Sequence, residues 1–480
     1  MNKKSLIKSF AGFSAISWIQ ALVGFVMIPL TTRLFSTEEW GMVGMFNNAV
    51  SICIILATLS MEQSYIRFFS EQKSEDELVA LRSRCVFVSA AAFTLVFSFI
   101  LIFGKQLSYL LFSTHIPVVI YVCLPVVVLC SAIHCYQHAY FRMQESIKWY
   151  TLCGLGSLFA LKISILFAAL IRPTFKLSVI VMAASYVLSI IVFSLLKKDS
   201  VKLTRPQGKE GYVPLLKYAL PWIPSSLMTH LNVTIVSYVV KDSLSFGSLG
   251  IYNTAISVSN VLAVIQSGFA IYWPAFMYKN YETEKPTIKK IHSVVCFGMA
   301  LVCIGVMIMA KPLFMIVGKD FREGVVVLGL LLFSPFLNMV GETTVYGIYL
   351  EKKTHLLMYL TGASLVVSCT LAFLLVPRFG LIGAASANAL SSLVFFILRS
   401  AVGQKYYKST EKFYRTVVSA CLVLGAGVVC YIFNHREILK LSILGCFIAV
   451  LLLMYLPEIK FVINGARAFV TSRKNKKQND

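Results

Sequence analysis

WGMVGMFNNAVSI, residues Trp40–Ile52, returns 206 residues later as FGSLGIYNTAISV, residues Phe246–Val258. The two stretches share Gly41/Gly247, Gly44/Gly250, Asn47/Asn253, Ala49/Ala255 and Ser51/Ser257, and an aromatic residue precedes the first glycine in each. Five identities in thirteen positions are weak evidence in an apolar alphabet, so placement has to carry the repeat. Each copy opens a long hydrophobic run, and the second copy lies six runs after the first. An even offset gives both copies the same direction across a membrane, as expected of two duplicated halves.

Outward from this pair, the whole chain divides into such runs: 10–34, 40–66, 85–103, 116–141, 149–171, 177–196, 218–240, 246–277, 292–314, 324–350, 356–376, 380–403, 413–433 and 438–457. Runs of about 20 apolar residues match the roughly 30 Å hydrocarbon core of a bilayer. A backbone there must satisfy its own hydrogen bonds, which makes the runs helices. With 480 residues, 58% of them hydrophobic, and a mean hydropathy of +0.78, no room is left for a soluble catalytic domain. The first run is too long for a signal-peptide core and lacks a small-residue cleavage site, so it reads as a retained helix. The 12 cysteines lie in or beside apolar runs and read as small buried hydrophobes, not as a disulfide framework.

The expected fold class is therefore an all-α polytopic membrane protein of about 14 transmembrane helices. It comprises two six-helix bundles related by a parallel repeat, plus two C-terminal helices. The expected domains are an N-terminal lobe (1–197), a cytoplasmic linker (198–217), a C-terminal lobe (218–403), and two extra helices with a basic tail (404–480). The linker lies in KKDSVKLTRPQGKEGYVPLLK, Lys197–Lys217. The net charge of +23 follows this topology. Of 44 Lys and Arg residues, 32 fall on the side of the N-terminus, 11 on the other side, and Lys162 lies within a run. That bias places both termini in the cytoplasm. It also accounts for the basic composition without nucleic acid as a partner.

The opening IPLTTRLFSTEEWGMVGMF (Ile28–Phe46) and the following SMEQSYIRFFSE (Ser60–Glu71) resemble the start of bacterial polysaccharide exporters. YALPWIPSSL (Tyr218–Leu227), FGSLGIYNTA and FAIYWPAFMYKNYE (Phe269–Glu282) resemble the start of their second half, and FGLIGAASANALSSLV (Phe379–Val394) resembles their twelfth helix. The chain is thus similar to the O-antigen, or Wzx-type, oligosaccharide flippases of the multidrug/oligosaccharidyl-lipid/polysaccharide exporter superfamily. It departs from them in the seventh helix, where LNVTIVSYVV (Leu231–Val240) stands in place of a frequent Asp-Arg pair. The resemblance implies a protein of the bacterial inner membrane. It would move an undecaprenyl-pyrophosphate-linked oligosaccharide from the cytoplasmic to the periplasmic leaflet by alternating access. Its partners would be that lipid-linked substrate, membrane lipids, and the polymerase and chain-length machinery. A peptidoglycan-precursor flippase and a cation-coupled multidrug exporter stay open as alternatives.

Such a substrate needs cationic groups, polar helix faces and a lateral opening for its tail. Lys162 sits about nine residues, roughly 13 Å, from the outer end of the fifth run. A central lysine costs about 2.5–3.5 kcal/mol on insertion scales, so it should face a cavity or a partner. Arg33 ends the first run and Arg67 the second, at positions where the family commonly has arginine. Snorkelling anchors are the bland reading for both, while bidentate phosphate binding is the sharper one. Arg142 and Arg399, at cytoplasmic helix ends, are weaker candidates of the same kind. In the tenth run Ser334, Asn338, Glu342 and Tyr346 recur every four residues along one helical face. Asn48, Ser51, Thr58 and Glu62 form a comparable stripe in the second run, and Asn253, Ser257 and Asn260 do so in the eighth. Lys162, Arg33, Arg67, Asn48, Asn253 and Asn338 are accordingly the candidate substrate-binding set, with Glu342 and Glu62 as coupling or ion-pair acids. Polar stripes also glue helices together, which is the structural alternative.

Cys130, His134 and His138 align at spacings of four residues, but with no carboxylate nearby they read as packing, not a metal site. No phosphate-binding G-x-x-x-x-G-K-[ST] loop occurs, and no nucleophile–base set stands in a soluble pocket. Neither ATP hydrolysis, another enzymatic activity nor a cofactor is expected. The short outer connections also argue against a glycan polymerase.

Overall fold

A computed structural model describes residues 3–113, 118–204, 211–351, 353 and 355–459, and no strand occurs among them. Part of the expected linker, 205–210, and most of the expected basic tail, 460–480, lie outside the described residues. The helices of the first half are α1 (Lys3–Leu34), α2 (Thr37–Thr58), α3 (Met61–Phe68), α4 (Glu75–Phe112), α5 (Val118–Met143), α6 (Ile147–Leu158), α7 (Ser164–Ile171) and α8 (Phe175–Leu196). Those of the second half are α9 (Tyr212–Ala219), α10 (Trp222–Ser243), α11 (Phe246–Ser259), α12 (Ala263–Asn280), α13 (Lys285–Ile308), α14 (Ala310–Met315), α15 (Val325–Leu331), α16 (Phe333–Thr344), α17 (Tyr346–Leu350) and α18 (His355–Tyr406). Helices α19 (Phe413–Ile432) and α20 (Glu437–Met454) follow.

Helix starts are written locally. Ser36, Ser74, Thr174 and Ser245 each accept a hydrogen bond from the backbone N–H three residues on, at 3.3, 3.2, 3.4 and 3.0 Å. Each such cap is worth about 1 kcal/mol. Three glutamate or aspartate residues, Glu75, Asp76 and Glu77, add favourable charge to the first turn of α4.

Among the described residues, 11 helices are long and apolar enough to cross a bilayer, or 12 if the bent pair Phe246–Leu262 and Val264–Ala270 forms one span. The expected number of fourteen is not reached by this measure, for two visible reasons. The described apolar part of the first helix, Trp18–Leu34, is short. The 52-residue α18 contains two of the expected runs and turns at Gly380, whose φ of +61° a glycine adopts without strain. Ser364 donates to the Ser391 carbonyl at 3.1 Å, although a straight helix would set them roughly 40 Å apart. The helix therefore doubles back.

A second departure concerns the second run. It does not continue as one helix to residue 66: Leu59 and Ser60 both take left-handed conformations, with φ of 49° and 53°, and separate α2 from α3. Glu62 consequently lies beyond the break, off the helical face of Asn48 and Ser51.

Helices α1 to α8 pack chiefly on one another, and α10 to α18 do likewise, while α19 and α20 lean on α13 and α15 of the second set. The two sets meet where α2 lies along α10 and α11, where α1 meets α11 and α12, and where α3 meets α9.

Candidate functional site

The repeated stretches face each other. A Cβ on Gly41 would overlap the Phe246 carbonyl oxygen, one on Gly250 would overlap the Thr37 carbonyl oxygen, and one on Gly44 would overlap the Asn253 amide. Small residues thus let α2 and α11 approach backbone to backbone, as close helix contacts in a bilayer require. The same end of the bundle, marked by Thr37, carries two further cross-contacts. The Gly318 N–H donates to Thr32 Oγ1 at 3.1 Å. Lys241, 5% exposed on α10, donates to the Leu110 carbonyl at 3.2 Å and to Ser113 Oγ at 2.9 Å. Its ammonium therefore caps the C-terminal end of α4, where the helix dipole favours a cation.

Within this seam the repeat-related Asn47 and Asn253 each hold a buried side-chain atom, Oδ1 and Nδ2 respectively, without a hydrogen-bond partner. Each such atom costs about 1–3 kcal/mol. The closed seam is thus tight in packing but incompletely satisfied. Asn48 bridges it as well, donating to Ser237 Oγ on α10 at 3.1 Å.

Lys162 lies in a π-helical turn, Phe159–Ile163, that interrupts the span between α6 and α7. Its Nζ rests against the α1 backbone, 2.7 Å from where a Cβ on Gly24 would stand. It is half-buried and makes no hydrogen bond or ion pair with any described residue. An unpaired cation at that depth is costly.

The other sequence candidates fall elsewhere. Arg33 is exposed at the end of α1. Arg67 is exposed too, paired with Glu71 at 2.7 Å, an arrangement worth little in water. Glu62 keeps one carboxylate oxygen buried without a partner. The α16 stripe does not form one continuous surface. Ser334 and Asn338 line a cavity, Glu342 lies in the field of Arg399, and Tyr346 packs edge-on against Trp273. His134 is occupied by Ser189 Oγ at 3.0 Å and Cys153 at 3.5 Å, and His138 lies against Tyr150. Among the described residues no cluster of metal-ligand type is formed.

Two arginines are interior: Arg399, expected at a cytoplasmic helix end, and Arg82, which the sequence did not single out. Arg399 is 6% exposed; it donates to the carbonyls of Leu337 at 3.1 Å and Asn338 at 2.9 Å and fills the space beside Gly341. Arg82, 2% exposed, donates to the Lys202 carbonyl and lies over the Tyr140 ring at 5.2 Å. With Ser83, which accepts from the Thr204 N–H at 2.8 Å, it docks the segment after α8 onto α4. The sequence signal available for both was only an arginine near the end of an apolar run.

The cavity beside α16 has a volume of about 390 Å³ and lies within the second helix set. Helices α10, α11, α12, α15, α16 and both arms of α18 line it, and its polar wall includes Asn232, Asn260, Gln266, Asn338, Asn388 and Ser392. None of its lining side chains is charged.

Residues 6–277 match the family described as polysaccharide biosynthesis protein. The capsular polysaccharide biosynthesis protein CapF of Staphylococcus aureus is 22% identical over 408 residues, which is 82% of this chain and 98% of the relative. Among solved structures, the lipid II flippase MurJ in an inward closed conformation is similar with a TM-score of 0.72 at 12% identity, over 93% of this chain and 99% of MurJ. An inward-facing multidrug resistance MATE family transporter of the MOP superfamily is similar with a TM-score of 0.59 at 14% identity, over 81% and 98% of the two chains. At these identities the structural likeness shows the fold alone.

Proposed function

We propose that this chain, which belongs to the polysaccharide biosynthesis protein family, is a flippase for a surface-polysaccharide repeat unit, O-antigen or related, linked to undecaprenyl pyrophosphate. It moves the unit from the cytoplasmic to the periplasmic leaflet of the bacterial inner membrane, with both termini in the cytoplasm. The observation that carries this reading is Lys162, an ammonium unpaired among the described residues and set deep in an apolar span against Gly24 of α1. A lipid-borne pyrophosphate supplies the negative charge that this cation lacks among the described residues. Arg33 and Arg67, exposed at the ends of α1 and α3, would meet the anion at the two mouths of the route. Rocking of the two helix sets about the α2–α11 seam is the motion the architecture supports. The distribution of basic residues supports the placement of both termini in the cytoplasm.

The test is complementation of a bacterium that lacks its own repeat-unit flippase and carries the sugar-assembly genes native to this chain. Wild type should restore surface glycan, and Lys162→Ala at matched membrane level should lower it at least tenfold. If well-expressed wild type restores none, the substrate assignment is wrong. Retention of full export by Lys162→Ala would return that lysine to a structural role.

A further inference from the structure

The cavity between α10, α11, α16 and the two arms of α18 is not needed for an anion, since no charged side chain lines it. Its wall nevertheless sets several carboxamides among apolar side chains. Asn260, Gln266, Asn338 and Asn388 line it, and their carboxamides make no hydrogen bond within the described protein. Asn232 spends only its carbonyl oxygen, accepting from Ser368 at 2.6 Å, and keeps its amide hydrogens free. Phe395 adds an aromatic face to the wall, and the Arg399 guanidinium lies 4.9 Å from its ring centroid.

A carboxamide offers two donors and an acceptor without charge. Several of them around an aromatic face match a ligand that carries many hydroxyls, each a donor and an acceptor, on a ring with an apolar side. The cavity's 390 Å³ falls at the small end of ligand sites, roughly 300–1,000 Å³, the scale of one or two sugar rings rather than a lipid-linked repeat. We infer that this cavity is a sugar-recognition pocket for neutral hexose or N-acetylhexosamine residues of the transported glycan. The inference rests on the flippase reading above and divides the work. Lys162 in the first helix set holds the phosphate end, and the carboxamide pocket in the second selects the sugars. A uronic acid would enter a site with no cation to pair its carboxylate, so the pocket discriminates by charge as well as by shape.

The experiment uses purified full-length protein in nanodiscs. The ligand is the repeat-unit oligosaccharide freed from its carrier by mild acid, taken from the bacterium that encodes the chain. Titration is followed by tryptophan fluorescence and by thermal midpoint. Wild type should bind the free oligosaccharide. Asn388→Leu should bind about tenfold more weakly, because one set of paired hydrogen bonds is lost. Gln266→Met serves as the second variant should Asn388→Leu fail to accumulate. Equal binding by wild type and both cavity variants would overturn the proposal, as would absence of binding in a protein that exports glycan. Stabilisation by sodium chloride without oligosaccharide would assign the cavity to a cation and overturn it too. If wild type exports no glycan but binds the oligosaccharide through Asn388, the flippase reading falls while the pocket stands.

Discussion

Replacing Lys241 with methionine should loosen the Thr37 end of the bundle. Methionine keeps most of the lysine stem's volume but removes the ammonium that joins α10 to the end of α4. Two hydrogen bonds disappear, to the Leu110 carbonyl at 3.2 Å and to Ser113 Oγ at 2.9 Å. Hydrogen bonds to a charged group contribute roughly 1.5–3 kcal/mol each, net of exchange with water, at ordinary sites. Lys241 is only 5% exposed, so a part of that gain is offset by the cost of burying its charge. A net loss of about 2 kcal/mol follows, which shifts the closed-to-open ratio of this end by roughly 30-fold. Hydrogen-exchange mass spectrometry in nanodiscs reads this directly. The amides of Ser113 and Leu244, bonded to Tyr109 and Val240 carbonyls at 2.8 and 3.0 Å, lie on the two sides of the contact. Peptides covering them should exchange about 30-fold faster in Lys241→Met, whereas those from α19 and α20 should not change. Lys241→Arg, which keeps charge and donors, should restore most of the protection. Exchange within threefold of wild type would show that the lysine does not hold the seam, and the reasoning would be refuted.

Gly250→Leu forces a side chain into the Thr37 carbonyl and should abolish closure of the α2–α11 seam; surface glycan should vanish while membrane levels stay within twofold, and normal export would refute the role given to the repeat. Arg82→Ala should free the segment after α8, so that limited trypsin cleaves at Lys197, Lys198 or Lys202 at least tenfold faster in membranes; unchanged cleavage would count against docking through the arginine. Arg399→Leu should lower the thermal midpoint more than Glu342→Gln does, because the arginine satisfies two carbonyls while the glutamate has no direct partner; the reverse order, read by fluorescence melting, would sink the assignment.

The length of the apolar runs determined the class of this protein, because a bilayer of fixed thickness leaves the chain few alternatives. The sequence also located the two repeated stretches, and it singled out Lys162, since one lysine inside an apolar run stands out at any register. It did not reveal that those stretches touch, nor that the asparagines at positions 47 and 253 share a seam. The sequence passed over Arg82 and placed Arg399 at a helix end, because hydropathy averages along the chain and cannot see a neighbouring helix close over that end. The pocket was least legible of all. Its carboxamides are spread from Asn232 to Asn388; Asn260 and Asn338 stood out in polar stripes, the others did not, and only folding brings them to one wall. The physical reason is general to membranes: lipid and protein interior are both apolar, so the pattern that separates core from solvent in water fades here. Sequence alone located the apolar segments that can enter a membrane, and tertiary packing decided where they break and which of their faces meet.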